Sequence, residues 1–204
     1  MKKVIELVES LKLDPISKVI NSRVSEFEEL GKKPKEEIFK ELCFCLLTAN
    51  FSASGGIKIQ SEIGRGFEDL PKEELAKKLK ELGHRFPNVR AEYICLARES
   101  FPKINFDSEN LREEVVENIK GLGMKEASHF LRNIGFKDYA IIDFHIVHFL
   151  VKQNLLETPK TKQITPKRYL EIESLLREIA EKTNLSLGEL DLYLWYLETG
   201  KVLK

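Results

Sequence analysis

The chain has 204 residues, of which 42% are hydrophobic and 32% are charged, and its 33 lysines and arginines balance 33 aspartates and glutamates. This length suits one domain or two small lobes, and the composition excludes a disordered chain, which would combine low hydrophobicity with high net charge. Because the net charge is zero, any contact with nucleic acid must come from a local patch or from backbone amides.

The apolar runs are short and interrupted by charges, so the sequence predicts no membrane span, and Glu6 interrupts the N-terminus before a signal sequence can develop. The three cysteines, Cys43, Cys45 and Cys95, form no C-x-x-C pair, which argues against a disulfide framework, a zinc site or another cofactor. Cys43 and Cys45 lie in an apolar stretch and are predicted to be small buried residues. A reducing cytoplasm is the expected location.

Apolar residues recur at intervals of three and four along almost the whole chain, as they do in amphipathic helices. Prolines at the starts and glycines after the ends mark several helix boundaries. No stretch alternates as a strand would, so the predicted class is all-α. The predicted helices lie at residues 4–11, 16–30, 34–47, 57–63, 71–82, 89–97, from 110, 125–134, from 143, 169–179 and 187–197.

Two segments between these helices carry further expectations. Asn110 to Glu113 has the character of a capping box, in which the side chains at both ends bond to backbone amides. The stretch from Glu157 to Pro166 is predicted to be an exposed loop. Its Lys160 and Lys162 could reach phosphates, although a solvated loop is the simpler interpretation.

Residues 119–127, with the sequence IKGLGMKEA, predict a helix end, a two-glycine turn and an immediate helix start. Gly121 and Gly123 permit positive φ and let the backbone approach a ligand closely. The first amides of the next helix lack partners within the helix and form a ready site for an anion such as a DNA phosphate. The alternative is an ordinary helix–helix connection with a glycine cap.

This segment resembles the helix-hairpin-helix of DNA glycosylases. Eighteen residues after Lys125, the segment 142–148 (IDFHIVH) resembles the aspartate-x-His-Val segment of the same superfamily. Upstream, residues 46–53 (LLTANFSA) resemble its helix-end motif, in which a glutamine or asparagine enters the duplex. The three motifs stand in the superfamily's order and cover the chain from about residue 40 to 150.

The resemblance extends to one subfamily. The absence of cysteine beyond Cys95 disfavours the iron–sulfur branch of endonuclease III, and there is no room for the N-terminal β domain of the long eukaryotic enzymes. The chain is similar in length to the short, second type of 8-oxoguanine DNA glycosylase/lyase of archaea and some bacteria, and its end, LWYLETGKVLK, is similar too. This implies that residues 1–204 form one unit of two helical lobes, with a helix-hairpin-helix at about 110–135 and an active-site cleft between the lobes.

The resemblance also implies the chemistry: removal of 8-oxoguanine through a lysine Schiff base, followed by β-elimination. Lys125 would be the nucleophile, since an amine in the first turn of a helix lies at the positive end of the helix dipole, which favours its neutral form. Without Asp143, a solvated surface lysine would be the better interpretation. Asp143 suits a helix N-cap, and an ionised carboxylate near C1′ could also stabilise an oxocarbenium-like transition state.

Recognition of the damaged base is assigned by the resemblance to Trp195, as a stacking platform, and to the C-terminal Lys204. From its apolar surroundings alone, Trp195 would be a core tryptophan. His145 and His148 are spaced three residues apart and could form a metal pair, but no third ligand is apparent, so the sequence predicts no metal site and favours packing roles.

The DNA contacts would come from the hairpin glycines and from the helix-end motif. Asn50 could fill the gap left by the extruded base or contact the opposite cytosine, but it suits a helix C-cap equally well. Phe51 could enter the base stack as a wedge. Arg85 and Arg90 could hold phosphates, although an exposed arginine is usually only solvated.

The expected partner is therefore duplex DNA that contains an oxidised base, bound by a monomer in the cytoplasm near the nucleoid and away from membranes. One alternative is the same chemistry on another damaged base. A second is a non-catalytic helix-hairpin-helix protein that only binds DNA, and a third is a helical scaffold, which the neutral net charge supports.

Overall fold

The computed structural model describes residues 1–159, 161 and 163–204, so the phosphate contacts suggested for Lys160 and Lys162 lie outside the described residues. Within these ranges the chain forms twelve α-helices, one short 3-10 helix at Phe101–Lys103 and no strand, which confirms the all-α prediction. None of the helices in the described ranges is long and apolar enough to cross a membrane. The α-helices are α1 (Lys2–Lys12), α2 (Ile16–Gly31), α3 (Lys35–Thr48), α4 (Ala53–Ile63), α5 (Gly66–Asp69), α6 (Lys72–Glu81), α7 (Pro87–Ser100), α8 (Leu111–Asn118), α9 (Met124–Asn133), α10 (Phe144–Lys152), α11 (Pro166–Lys182) and α12 (Leu187–Thr199).

The chain divides into two compact units, each with its own packing. The first unit contains Met1–Glu29 and Leu131–Lys204, where α10 packs on α12 and α1 lies against both α11 and α12. The second unit contains Leu30–Phe130, where α3 packs against α4 and α7, and α6 lies along α7.

Each unit has an apolar core built from the residues that recur at helical spacing. In the first unit the fully buried side chains include Val4, Val8, Ile20, Leu150 and Ile179. In the second they include Leu42, Phe44, Phe67, Ile94 and Phe130. Cys43 and Cys45 are buried free thiols, as their apolar surroundings predicted. Burial of such side chains, at about 25 cal/mol per Å² of apolar surface, is what makes the helices stable.

The helix ends depend on local side-chain chemistry. Ser186 and Glu189 form a complete capping box at the start of α12, which was not predicted from the sequence. The capping box predicted at Asn110 is wrong: Asn110 precedes α8, but its side chain makes no capping hydrogen bond. The carboxylate of Glu113 lies 3.6 Å from Nε of Arg112 instead. The four-residue helix α5 was missed because it is too short to show a periodic pattern.

Candidate functional site

The hairpin joins α8 to α9 through a turn that the structure anchors with buried Ile119 and Leu122. Gly121 has φ +97°, and a Cβ atom added there would lie 2.2 Å from Cδ2 of Tyr93. Glycine is therefore required at 121, both for its backbone conformation and for the close approach of the Tyr93 ring. Gly123 has no positive φ, so the predicted conformational freedom is used at only one of the two glycines.

The start of α9 leaves backbone donors outside its hydrogen-bond ladder. The amide of Ala127 donates to the carbonyl of Gly123 over 2.9 Å, so the amides of Met124, Lys125 and Glu126 precede the first such bond of the helix. Donors at a helix N-terminus, together with the helix dipole, suit an anion such as a phosphate.

Lys125 lies in this first turn with 26% of its side chain exposed. Its Nζ lies 3.7 Å from Oε1 of Glu126, whose side chain is 18% exposed. This ion pair was not predicted from the sequence. The amine of Lys125 is partly covered yet accessible.

Asp143 is the N-cap of α10, which confirms the capping role that its sequence position suggested. Its Oδ1 accepts a hydrogen bond of 2.9 Å from the amide of Ile146, and its backbone is extended. The side chain is half-buried and follows the buried residues Ile141 and Ile142. The cap bond uses only Oδ1, so Oδ2 of the carboxylate takes no part in it. Asp143 belongs to the first unit and Lys125 to the second.

An aromatic cluster lies where α10 packs on α12 in the first unit. The rings of His145 and Trp195 meet edge to face at 4.7 Å, and Nε1 of Trp195 is buried without a hydrogen-bond partner in the described part of the chain. His148 places Nδ1 2.5 Å from Oε1 of Glu198 and stacks on Phe144, which is 72% exposed. The two histidines thus have separate partners. Among the described residues, no group of three or more His, Cys, Asp or Glu side chains could hold a metal ion.

The C-terminal segment continues from α12 without regular structure. Gly200 ends the helix in the left-handed conformation, with φ 69°, and its amide donates to the carbonyl of Tyr196 over 2.8 Å. Val202, Leu203 and Lys204 are half-buried, so the end of the chain lies partly against the protein.

The helix-end motif forms a tight turn after α3 in the second unit. Asn50 is exposed with φ 61°, a left-handed conformation that asparagine adopts more readily than most residues. The C-cap position of α3 is taken by Ala49, so Asn50 is not the cap residue itself. Phe51 is half-buried, and its ring lies 4.5 Å from the ring of His84.

Arg90 holds this turn from α7, a role that the sequence analysis missed. Its side chain is buried rather than solvated, and Nη2 donates a 2.7 Å hydrogen bond to the carbonyl of Ala49. Arg90 also lies 5.8 Å above the ring of Tyr93, which covers Gly121. A sequence signal would have been difficult to find, because Arg90 and Ala49 are 41 residues apart.

His84 is a second buried residue for which the sequence carried no signal. Its Nδ1 accepts a 3.0 Å hydrogen bond from the amide of Phe86, which leaves the proton on Nε2 to be donated to the carbonyl of Leu47 over 3.0 Å. Burial lowers the pKa of His84, the Leu47 carbonyl opposes this change, and the charge of Arg90 adds to it. His84 therefore supports the end of α3 as a neutral imidazole.

Comparison with known proteins places these motifs in one family. The family model for 8-oxoguanine DNA glycosylase matches residues 20–185. A protein of Methanocaldococcus jannaschii named 8-oxoguanine DNA glycosylase/AP lyase is 56% identical over 98% of this chain and 99% of its own. The crystal structure of the M. jannaschii enzyme with a 15mer DNA containing 8-oxoguanine is 55% identical, covers 99% of this chain and 100% of that chain, and has a TM-score of 0.94. The 8-oxoguanine DNA glycosylase of Thermotoga maritima is 45% identical, covers 100% of both chains and has a TM-score of 0.92.

Proposed function

Since the chain belongs to the 8-oxoguanine DNA glycosylase family, we propose that it excises 8-oxoguanine from duplex DNA and cleaves the strand at the abasic site that excision leaves. The observation that carries this proposal is the match of the family model to residues 20–185, which contain the hairpin, Lys125 and Asp143. The M. jannaschii complex with DNA containing 8-oxoguanine supports DNA with this lesion as the partner.

In the proposed mechanism, the neutral amine of Lys125 attacks C1′ of the damaged nucleotide. The N-glycosidic bond breaks, the base leaves with a proton, and opening of the sugar gives a Schiff base between Lys125 and C1′. Loss of a proton from C2′ then expels the 3′ phosphate, and water releases the lysine. The position of Lys125 directly behind the hairpin supports this role, because a phosphate bound there would bring the sugar close to the amine.

Asp143 would provide the negative charge that this reaction needs. Its Oδ1 accepts a hydrogen bond from the amide of Ile146 at the N-terminus of α10. An ionised carboxylate stabilises the positive charge that develops on the sugar as the glycosidic bond breaks. We therefore assign electrostatic stabilisation to Asp143 and covalent catalysis to Lys125.

Trp195 and Lys204 would recognise the extruded base. The indole of Trp195 would offer a face for stacking. The half-buried positions of Val202, Leu203 and Lys204 support a role for Lys204 beside the base.

The surrounding duplex would be held by two turns. Gly121 and Gly123 would present backbone amides to a phosphate, and the exposed Asn50 would occupy the space left by the base. Phe51 would support that turn through its contact with His84. A monomeric state and a location at the nucleoid stay predictions.

The experiment that tests this function is borohydride trapping on duplexes that each carry one defined lesion. We expect a covalent adduct with 8-oxoguanine DNA that is lost in Lys125→Gln, while DNA binding persists. Lys120→Gln is the matched control, since Lys120 is an exposed lysine of the same hairpin that pairs with Glu92. Undiminished trapping in Lys125→Gln would refute the nucleophile, and binding without any adduct in the unmodified protein would instead support a non-catalytic DNA-binding protein.

A further inference from the structure

The segment that leads into Asp143 has no regular secondary structure, yet α11 binds its backbone at several positions. The amide of Ala140 donates to Oε2 of Glu173 over 3.0 Å, and the hydroxyl of Tyr169 donates to the carbonyl of Ala140 over 2.6 Å. The amide of Ile142 donates to the same hydroxyl over 3.2 Å. All of these groups belong to the first unit, and the three hydrogen bonds are buried.

A single stripe of α11 makes these contacts. Tyr169, Glu173 and Arg177 follow one another at intervals of four residues, so they share one face of the helix. Arg177 continues the pattern by donating from Nη2 to the carbonyl of Asp138 over 3.1 Å. The stripe therefore binds the backbone of every second residue of the segment, at 138, 140 and 142, as a neighbouring strand would.

The buried part of this stripe satisfies backbone groups that water cannot reach. Tyr169 is 2% exposed and Glu173 is 6% exposed, and Ala140 and Ile142 are equally enclosed. A buried amide or carbonyl that loses its partner is costly, so the segment cannot slide along α11 without breaking several bonds at once. This fixes the register of the chain immediately before α10.

We propose that Tyr169 and Glu173 are positioning residues for Asp143. The amide of Ile142 donates to the Tyr169 hydroxyl, and this amide belongs to the planar peptide unit just before Ile142. Only the φ and ψ of Ile142 then separate the anchored unit from the Asp143 amide, so the bond limits where the Asp143 backbone begins. From that point the carboxylate reaches its cap partner, the amide of Ile146. The inference rests on the proposed function, because it assumes that Asp143 acts in catalysis.

The first test is the single-turnover rate of 8-oxoguanine excision by Tyr169→Phe, which keeps the ring and removes the hydroxyl. We expect the rate to fall by about 10- to 100-fold, a loss typical of a small misplacement of a catalytic group, while the Kd for lesion DNA changes by less than about twofold. Val8→Ala, a buried truncation in α1 of the same unit, controls for a general loss of stability.

The decisive measurement is a double-mutant cycle with Asp143→Asn. If Tyr169 acts through Asp143, Tyr169→Phe should lower the rate of the Asp143→Asn protein by less than about twofold. Glu173→Ala and Glu173→Gln repeat the test if Tyr169→Phe does not fold. Glutamine keeps an acceptor for the Ala140 amide and should restore most of the rate that alanine loses.

The possible outcomes separate the two proposals. A wild-type rate in Asp143→Asn would overturn the catalytic role of Asp143 and the positioning role with it. Asp143→Asn could be slow while Tyr169→Phe lowers its excision rate by the same factor as it lowers that of the unmodified protein. That result would overturn only the positioning role. An effect of Tyr169→Phe no larger than that of Val8→Ala would do the same.

Discussion

Asp143 caps α10, and the proposed function gives it a second task that depends on a different property of the same side chain. Capping α10 requires an oxygen that accepts the Ile146 amide, whereas stabilising a cationic sugar requires negative charge. Asparagine provides the oxygen without the charge, and alanine provides neither. Comparing the two substitutions therefore separates the structural task from the chemical one.

For Asp143→Asn we expect turnover to fall by a factor on the order of 10²–10³, the usual loss when one electrostatic stabiliser is removed. The free energy of unfolding should fall by less than about 1 kcal/mol, because asparagine is also a good N-cap residue. Asp143→Ala should be equally slow but should lose roughly 0.5–2 kcal/mol of stability. Single-turnover rates and urea unfolding measure both effects, and a folded Asp143→Asn protein with wild-type rates would show that Asp143 is only a cap.

His84 gives the protein a predictable sensitivity to acid. Because burial lowers its pKa in the folded protein, the unfolded chain binds a proton first as the pH falls below about 6.5. The unfolded state then carries more protons, so stability should decline from about pH 6.5 down to the folded-state pKa. Above about pH 7, His84 is neutral in both the folded and the unfolded protein. It should then cause no change in the free energy of unfolding with pH.

The measurement is urea unfolding of the unmodified protein and of His84→Gln at pH 5.5 and pH 7.5. Glutamine does not titrate, so we expect the variant to lose less stability between the two pH values than the unmodified protein does. The values at pH 7.5 serve as the reference for any packing defect that the substitution causes. Identical pH dependence in the two proteins would show that His84 is not the titrating group.

At the level of elements, α7 is the support for two of the motifs found in the sequence. Arg90 binds the carbonyl of Ala49 at the end of α3, and Tyr93 covers Gly121 in the hairpin. Lys120 adds to this arrangement, since its Nζ lies 5.5 Å from the Tyr93 ring and 3.0 Å from the carboxylate of Glu92. Both turns therefore depend on side chains of one helix in the second unit.

This arrangement predicts different outcomes at the two hairpin glycines. Gly121→Ala should destabilise the protein by about 1–3 kcal/mol, because φ is +97° there and the new Cβ would meet the Tyr93 ring. It should weaken binding to lesion and normal duplexes alike. Gly123→Ala is the matched control, since φ is ordinary there and the nearest neighbour of an added Cβ atom, the Glu126 carboxylate, is 3.5 Å away.

Thermal unfolding and DNA-binding titrations would decide this prediction. The Gly123→Ala protein should keep nearly all of its stability, so a loss equal to that of Gly121→Ala would contradict the role of Tyr93. Loss of discrimination between lesion and normal DNA, with affinity retained, would argue that the hairpin recognises the base instead of a phosphate.

At the level of the whole molecule, recognition of the base and chemistry at the sugar are expected to be separable functions. The end of the chain, assigned to the base, is half-buried at Val202, Leu203 and Lys204. Under the proposed function, cleavage at a preformed abasic site would need Lys125 but no base recognition. Buried hydrogen-bonding groups discriminate strongly, because the wrong ligand leaves them without partners.

Deletion of Lys204 should therefore lower the single-turnover rate on 8-oxoguanine at least about tenfold and change cleavage at a preformed abasic site less than about twofold. Lys201→Gln is the control, because it removes a charge from the exposed part of the tail without moving the terminus. The melting temperatures of the variants should match that of the unmodified protein. Equal rates on 8-oxoguanine for full-length and truncated protein would remove the tail from base recognition.

The sequence by itself determined the helices, their order and several of their ends. Apolar spacing, glycine and a capping residue act within one or two turns, which is why α9, α10 and the cap at Asp143 were predicted close to their observed positions. The same local rules failed at Asn110, where nearby charged partners compete with the cap. Resemblance to a family then indicated Lys125, Trp195 and Lys204, for which spacing alone was indecisive.

Only the tertiary structure decided which residues support the site. His84 bonds across 37 residues to Leu47, and Tyr169 bonds across 29 residues to Ala140. Periodicity predicts which face of a helix is buried, but it does not encode which element covers that face. A histidine or tyrosine that satisfies a distant backbone group therefore looks like any other core residue until the helices are packed, because its partner is a carbonyl or amide that every residue possesses.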